Sequence, residues 1–352
     1  MRSDSPTLRD VAERAGVSVA TASRALSGDH PMSASTRERV LTAVQDVGYR
    51  RDRRPRHGSP LVAVVASSLG HLVISEVVGG VEDVSAGEGR KCTITTTHAD
   101  ADREVAVLRE LADDERIGAV IVVGGVHADD RWRRAVRSVA SRLQSRGTPL
   151  VFCGRGLRSL EVAGASVLDY DNAGGAAAVV GLLLGRGHRT IGAICGDPGF
   201  STSDERARGY HEALTEFGIE VDPALEVRGP RHSQFGARAV VELVRRRPDI
   251  TAVFAESDAL AMGVIRGARE LGLDLPGDLS VVGFDDQPGM EVLVPALTTV
   301  HMPYKELGRR AARIALGVDH WAPDSGELMF GTHVVLRESV AAPRRAPLDV
   351  DQ

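Results

Sequence analysis

Thr7 to Gly28 reads TLRDVAERAGVSVATASRALSG, and two short helices joined by a tight turn account for it. Thr7 can cap the first, with Asp10 three residues on completing a capping-box-like pair. Val11 and Ala15 then share a face with Leu8, and Gly16 breaks the helix. "GVS" makes the turn, and Ser18 can cap a second helix running roughly from Val19 to Leu26. Ala22, Ala25 and Leu26 are placed to pack inward.

Working outward, "SGDHPMS" is a loop, and Ser33 or Ser35 opens a third helix. Its Val40, Leu41, Val44 and Val47 are spaced as one apolar stripe, and Gly48 suits its C-terminal end. Two short helices around a glycine-containing turn, backed by a third, form a helix-turn-helix. A bare three-helix bundle would satisfy the same pattern. In a helix-turn-helix the second helix enters the major groove and reads base edges near its N-terminus. The face expected toward DNA carries Val19, Ala20, Thr21, Ser23 and Arg24, with Thr7 and Ser18 at the helix starts. Val19 and Ala20 can meet thymine methyls, Arg24 a guanine edge or a phosphate, and Thr21 and Ser23 phosphates.

Charge supports a polyanion partner at this end. Residues 1–60 hold 11 Lys/Arg against 7 Asp/Glu, whereas the other 292 residues hold 32 against 41. A basic end on an acidic body suggests a nucleic-acid module joined to something else, although a solvated basic linker gives the same balance. "GYRRDRRPRHGSP" (48–60) concentrates that charge in Arg50, Arg51, Arg53, Arg54 and Arg56.

Beyond Leu61 the period changes. Continuous apolar runs ("LVAVVASS", "KCTITTT", "GAVIVVGG", "TPLVFCGR", "TIGAICGD", "TAVFAES", "LSVVGFDD") alternate with helical patterns at 74–87, 103–113, 131–146, 174–184, 204–217, 236–246 and 259–272. Strands alternating with helices predict parallel sheets covered on both faces, and there are enough units for two α/β subdomains. Such sheets bind ligands beyond the carboxyl ends of their strands. The polar residues there are Ser67–Ser68, Gly154–Arg155, Asp197, Ser257–Asp258 and Asp285–Asp286, with Arg206 on the helix after Asp197. Asp285 and Arg206 in one cleft could hold a small polar molecule by charge-assisted hydrogen bonds, while for any one of these residues a cap, a turn or a surface ion pair is an ordinary alternative.

"TLRDVAERAGVSVATASRALSG" followed by "STRERVLTAVQDVGY" resembles the headpiece of the LacI/GalR family of bacterial transcription regulators. "DNAGGAAAVVGLLLGRGHRTIGAICG", "ERARGYHEAL", "VFAESDALAMGVIRGARELGL", "DLSVVGFDDQP", "PALTTVHMPYKELGRRAA" and "GTHVVLRESVAAP" resemble further family segments in family order. The resemblance implies a small all-α helix-turn-helix headpiece at 1–49, a linker at 50–60, and a periplasmic-binding-protein-like α/β body of two parallel-sheet subdomains at 61–352. Crossovers near 189, 300 and 331 then give an N-subdomain of about 61–188 and 301–331, and a C-subdomain of about 189–300 and 332–347. It places Val19, Ala20 and Arg24 at base-reading positions, Arg206 and Asp285 on the effector, and Ser257 and Asp171 as further lining. Ser68, His71, Arg155 and Phe254 complete the expected effector set.

Two departures from the family pattern stand out. Val73 and Ile74 in "GHLVI" occupy the place of a common aromatic segment, so ring stacking on a sugar is less secured. The linker is short, holds Pro55, and has no leucine between Tyr49 and Leu61. An extended, arginine-rich linker contributing salt-dependent affinity is therefore expected in place of a hinge helix with a leucine wedge.

Other classes fit poorly. "GRG" (154–156) and "GEG" (87–89) continue into neither phosphate-loop pattern, and no HExxH or paired Cys motif occurs. His188 suits capping or packing better than base catalysis, and nothing near Asp285–Asp286 supplies a nucleophile. No enzyme activity, cofactor or metal is expected. Cys92, Cys153 and Cys195 are dispersed and odd in number, which argues against a disulfide framework and fits a reducing cytoplasm. "MRSDSPTLRD" lacks a signal-peptide core, and no run reaches the roughly 18 apolar residues of a membrane span. A transport-type solute-binding protein would share the body but would not need the headpiece. The expectation is a repressor, homodimeric on a near-palindromic operator, whose affinity for double-stranded DNA is set by a small-molecule effector, with no membrane partner.

Overall fold

The computed structural model describes residues 8–19, 21, 22, 25, 33–47, 61–156, 162–319 and 327–344. The chain divides into two compact units, Met1–Arg54 and Pro55–Gln352.

The first unit begins with α1 (Leu8–Ala15). Gly16 follows at φ +63°, where a side chain would be strained, and the Val17 amide donates back to Ala12 O. The second helix, α2, includes Val19, Thr21, Ala22 and Ala25, and α3 spans Ala34–Val47. Ser33 opens α3, its hydroxyl accepting from the Thr36 amide. Val11, Ala12, Ala22, Ala25, Val40 and Ala43 form the core, and Arg14 pairs with Asp46 at 2.6 Å across α1 and α3. Leu41 departs from the expected stripe and is 49% exposed. The buried face runs through Val40, Ala43, Val44 and Val47, and Leu41 sits one position off it.

In the second unit a first sheet has the order β11-β5-β4-β3-β1-β2, all neighbours parallel. Its strands are β1 (Leu61–Ala66), β2 (Lys91–Thr96), β3 (Ile117–Val123), β4 (Leu150–Cys153), β5 (Ala165–Tyr170) and β11 (Glu327–Phe330). β1 sits between the edge strand β2 and β3, and its residues alternate between two cores. Val62 and Val64 join a cluster with α4 (Leu72–Gly87) and α11 (Tyr304–Ala315). Ala63 and Val65 join another with α5 (Ala101–Asp113) and α6 (Asp130–Ser145). Each fully buried valine or leucine here contributes about 1.5–3 kcal/mol.

A second parallel sheet has the order β7-β6-β8-β9: β7 (Glu226–Arg228), β6 (Ile191–Cys195), β8 (Ala252–Ala255) and β9 (Ser280–Val282). α9 (Ser233–Arg246) and α10 (Asp258–Glu270) cover one face, and α7 (Asn172–Gly185) and α8 (Ser201–Glu216) the other. The two segments β10 (Thr299–His301) and β12 (His333–Val335) pair antiparallel. Helices start two or three residues earlier than their apolar periods suggest at α4, α5, α7, α8 and α9. Asp100, Asp171 and Ser257 cap the first turns of α5, α7 and α10 by accepting backbone amides.

The chain passes between the sheets three times. The second and third passages fall at β10 and between β11 and β12, close to the expected 300 and 331. The first differs from the expected 189. β5 is the last strand of the first sheet before β6, and α7 already packs on α8. Gly209 of α8 lies so close to the Ala173 carbonyl of α7 that a Cβ there would collide with it. The passage is therefore at Asp171, and α7 goes with the second sheet.

Candidate functional site

The carboxyl ends of β1, β3, β4, β5 and β8 face a cavity of about 50 Å³, room for a few waters. Ser67, Gly124, Gly154, Tyr170 and Ser257 line it directly from those ends. His71, Val73 and Ile74 at the start of α4, and Thr202 and Arg206 of α8, close it with Asp285 and Tyr304.

Arg206 and Asp285 are its electrostatic centre. Arg206 Nη1 is 2.9 Å from Asp285 Oδ1. The guanidinium also donates Nε–H to Asn172 Oδ1 at 3.0 Å and Nη1–H to the Glu256 carbonyl at 2.6 Å, and lies 3.9 Å from the centroid of the Phe284 ring. Burial alone would favour loss of its proton, but the charge of Asp285 together with Tyr304 and Glu256 outweighs that and holds it charged. Asp285 receives the Tyr304 hydroxyl at 2.5 Å. Its backbone is at φ +113° and that of Asp286 at +53°, so this loop holds a conformation that side chains rarely adopt. The Asp285 amide donates to Val300 O at 2.9 Å, which fixes the loop to β10.

A second carboxyl lies behind the first. Asp258 is fully buried, accepting from Thr299 Oγ1 at 2.6 Å and from the Gln287 amide at 2.7 Å. Burial, then the charge of Asp285, push it up to about 8 despite those hydrogen bonds.

The expected effector residues divide. His71, Arg206, Ser257 and Asp285 line the cavity. The other four are placed elsewhere. Arg155 is completely buried, 2.8 Å from Glu104, with Trp132 Nε1 donating to the same carboxylate. It is a core ion pair, packed beside the Trp132 and Phe152 rings and absent from the cavity lining. Phe254 is buried in the core and stacks on Tyr210 with centroids 6.2 Å apart. Ser68 accepts the Gly70 amide and closes a turn, while its neighbour Ser67 faces the cavity. Asp171 caps α7, and the next residue, Asn172, lines the cavity.

Tyr304, Asn172, Gln287, Thr202 and Arg231 line the cavity and were not expected there. Two of them carried a signal, since Asn172 is one residue from an expected position and Tyr304 begins a helix just after a crossover. His188 is a packing residue as expected, bonded to Thr251 Oγ1 and Ala341 O. Cys153 and Cys195 are buried, which raises both thiols.

In the first unit, Ser18 accepts the Thr21 amide at 3.1 Å and so caps α2. Val19 is 44% exposed and Thr21 half-buried. Thr7, Ala20, Ser23, Arg24, Arg50, Arg51, Arg53 and Arg54, with the linker that was expected to be extended, lie outside the described residues.

A helix-turn-helix of this form precedes a body whose strand ends converge on a polar cleft. Residues 7–52 match the model of bacterial regulatory proteins of the lacI family, and residues 180–340 that of a periplasmic binding protein-like domain. The transcriptional regulator CelR of Thermobifida fusca is 32% identical, over 95% of this chain and 98% of its own. The chain belongs to the LacI family.

Among its LacI-family relatives, the repressor CytR of Escherichia coli K12 is 30% identical over 96% of each chain. A solved CelR–cellobiose complex is 31% identical, with a TM-score of 0.69 covering 95% of this chain and 100% of that one. The lac repressor dimer on operator with an anti-inducer shares the fold, with a TM-score of 0.70, 24% identity and coverage of 96% and 100%. This LacI-family chain is a DNA-binding transcription regulator, neither an enzyme nor a transport-type solute-binding protein. Among the described residues no helix is long and apolar enough to cross a membrane.

Proposed function

We propose that this protein is a cytoplasmic repressor, homodimeric on a near-palindromic operator, whose DNA affinity is set by a small polar effector held between the two sheets. The observation that carries the reading is the buried Arg206–Asp285 pair at the point where the strands end. It offers charged donors and acceptors to a polyol at the cavity wall. The relative solved with cellobiose supports an effector of carbohydrate type.

On this reading residues 1–49 bind DNA, 50–60 link, and 61–352 bind effector and dimerise. Base reading falls to Val19, Ala20 and Arg24, with Thr7, Ser18, Thr21, Ser23 and the linker arginines on phosphates. Arg24→Ala should weaken binding to a cognate operator by about 1–3 kcal/mol in an anisotropy titration. Unchanged affinity would remove Arg24 from the reading set.

A further inference from the structure

Arg231 is the charged residue of the cavity that the Arg206–Asp285 pair does not account for. It stands just before α9, and its side chain is one-quarter exposed. Gly196, at the end of β6, makes room for it: a Cβ there would come within 2.9 Å of Arg231 Cγ and closer still to Ser203 Oγ. Its hydrogen bond to Thr202 Oγ1 is long at 3.3 Å, and the Glu256 carboxylate beside it is 3.9 Å away and already receives the Ser203 hydroxyl. The cation is positioned without being tightly neutralised.

The same guanidinium lies 4.5 Å from the centroid of the Phe200 ring, whose edge contact with His127 occupies another side. That buried ring, itself outside the cavity lining, helps to hold the guanidinium in place. Tyr170 and Tyr304 pack edge to face on each other, and Val73 and Ile74 present aliphatic groups. His71 lies in the same corner, held below its ordinary value by burial and then by the Arg231 charge.

We infer that the Arg231 corner is an anion subsite, and that the effector is a small polyol carrying a phosphate or carboxylate. This rests on the cleft being the effector site. Arg206 and Asp285 take the hydroxyls, and Arg231, with Thr202 beside it, takes the anionic group by charge-assisted hydrogen bonds.

The test is thermal unfolding of the full chain titrated with inorganic phosphate against chloride at equal ionic strength, then with glucose 6-phosphate against glucose. Phosphate should raise Tm beyond chloride, and glucose 6-phosphate should act at least tenfold below glucose in concentration. Arg231→Gln should erase both differences, and Arg231→Lys should keep part of them. Identical phosphate and chloride curves, or a phosphate gain that survives Arg231→Gln, would overturn the subsite. If glucose stabilises the protein as well as its phosphate and Arg206→Ala/Asp285→Asn abolishes that, the cleft binds effector and the anion subsite is wrong. Stabilisation that survives both variants would overturn the cleft assignment itself.

Discussion

The Arg206 guanidinium stands 2.9 Å from the Asp285 carboxylate, and each side chain is at most 6% exposed. One comes from a helix on the second sheet, the other from a strained loop after β9, and Tyr304 reaches them from α11, which packs on the first sheet. Both layers thus meet at one ion pair.

Such a pair is costly to break from one side, because the remaining charge is left buried and uncompensated. Arg206→Ala should lower unfolding stability by about 3–5 kcal/mol in urea titration. Adding Asp285→Asn should cost little more, since the stranded carboxylate is then gone. Losses that simply add would show that the two charges are not coupled.

Arg155 gives the contrasting case. Arg155→Ala should also cost about 3–5 kcal/mol, through stranding Glu104. Arg155→Met with Glu104→Gln should recover most of it while preserving an acceptor for Trp132. Effector affinity per folded molecule, measured by calorimetry, should be unchanged in the double variant. A lost effector response there would return Arg155 to the binding site.

Asp258 predicts a pH dependence of defined sign. Its folded pKa, about 8, lies above the unfolded value, so its contribution is complete in acid and is lost as pH rises toward 8. His71 and His188 are both shifted below 6.5, so their contribution runs the opposite way, and the difference between wild type and Asp258→Asn separates the carboxyl from them. The carboxyl's contribution should fall by up to about 1.4 kcal/mol per pH unit as pH rises toward 8, and Asp258→Asn should remove that fall. Parallel wild-type and variant profiles in urea titration would contradict this.

Much of the architecture was legible in the sequence. The turn at Gly16, the Ser18 cap and the continuous valine-rich runs of β1 and β3 carry strong local signals. β5 does not, because "ASVLDY" buries Ser166 and Asp169 and looks like a loop. Asp169 is tolerated there because it accepts the Gly156 and Tyr170 amides. Without β5 the first passage between sheets was placed too late.

The lining of the cavity was legible in its centre and blurred at its edge. Arg206 and Asp285 were marked by position after strands and by family pattern. Ser68 and Asp171 missed the cavity by one residue, since neighbouring positions at a strand end or helix cap point in different directions. Arg155 looked equally suitable, but its partner Glu104 lies 51 residues away and nothing local announces the pairing.

The central claim is that effector binding at the Arg206–Asp285 pair controls operator affinity. The most direct measurement is operator binding by anisotropy, with and without a metabolite that stabilises the wild-type protein, in wild type and in Arg206→Ala/Asp285→Asn. The metabolite should shift wild-type operator affinity by about 5–150-fold, an ordinary coupling energy of about 1–3 kcal/mol. The double variant should bind operator as the wild type does without the metabolite, and should not respond to it. A double variant that still responds fully would contradict the account.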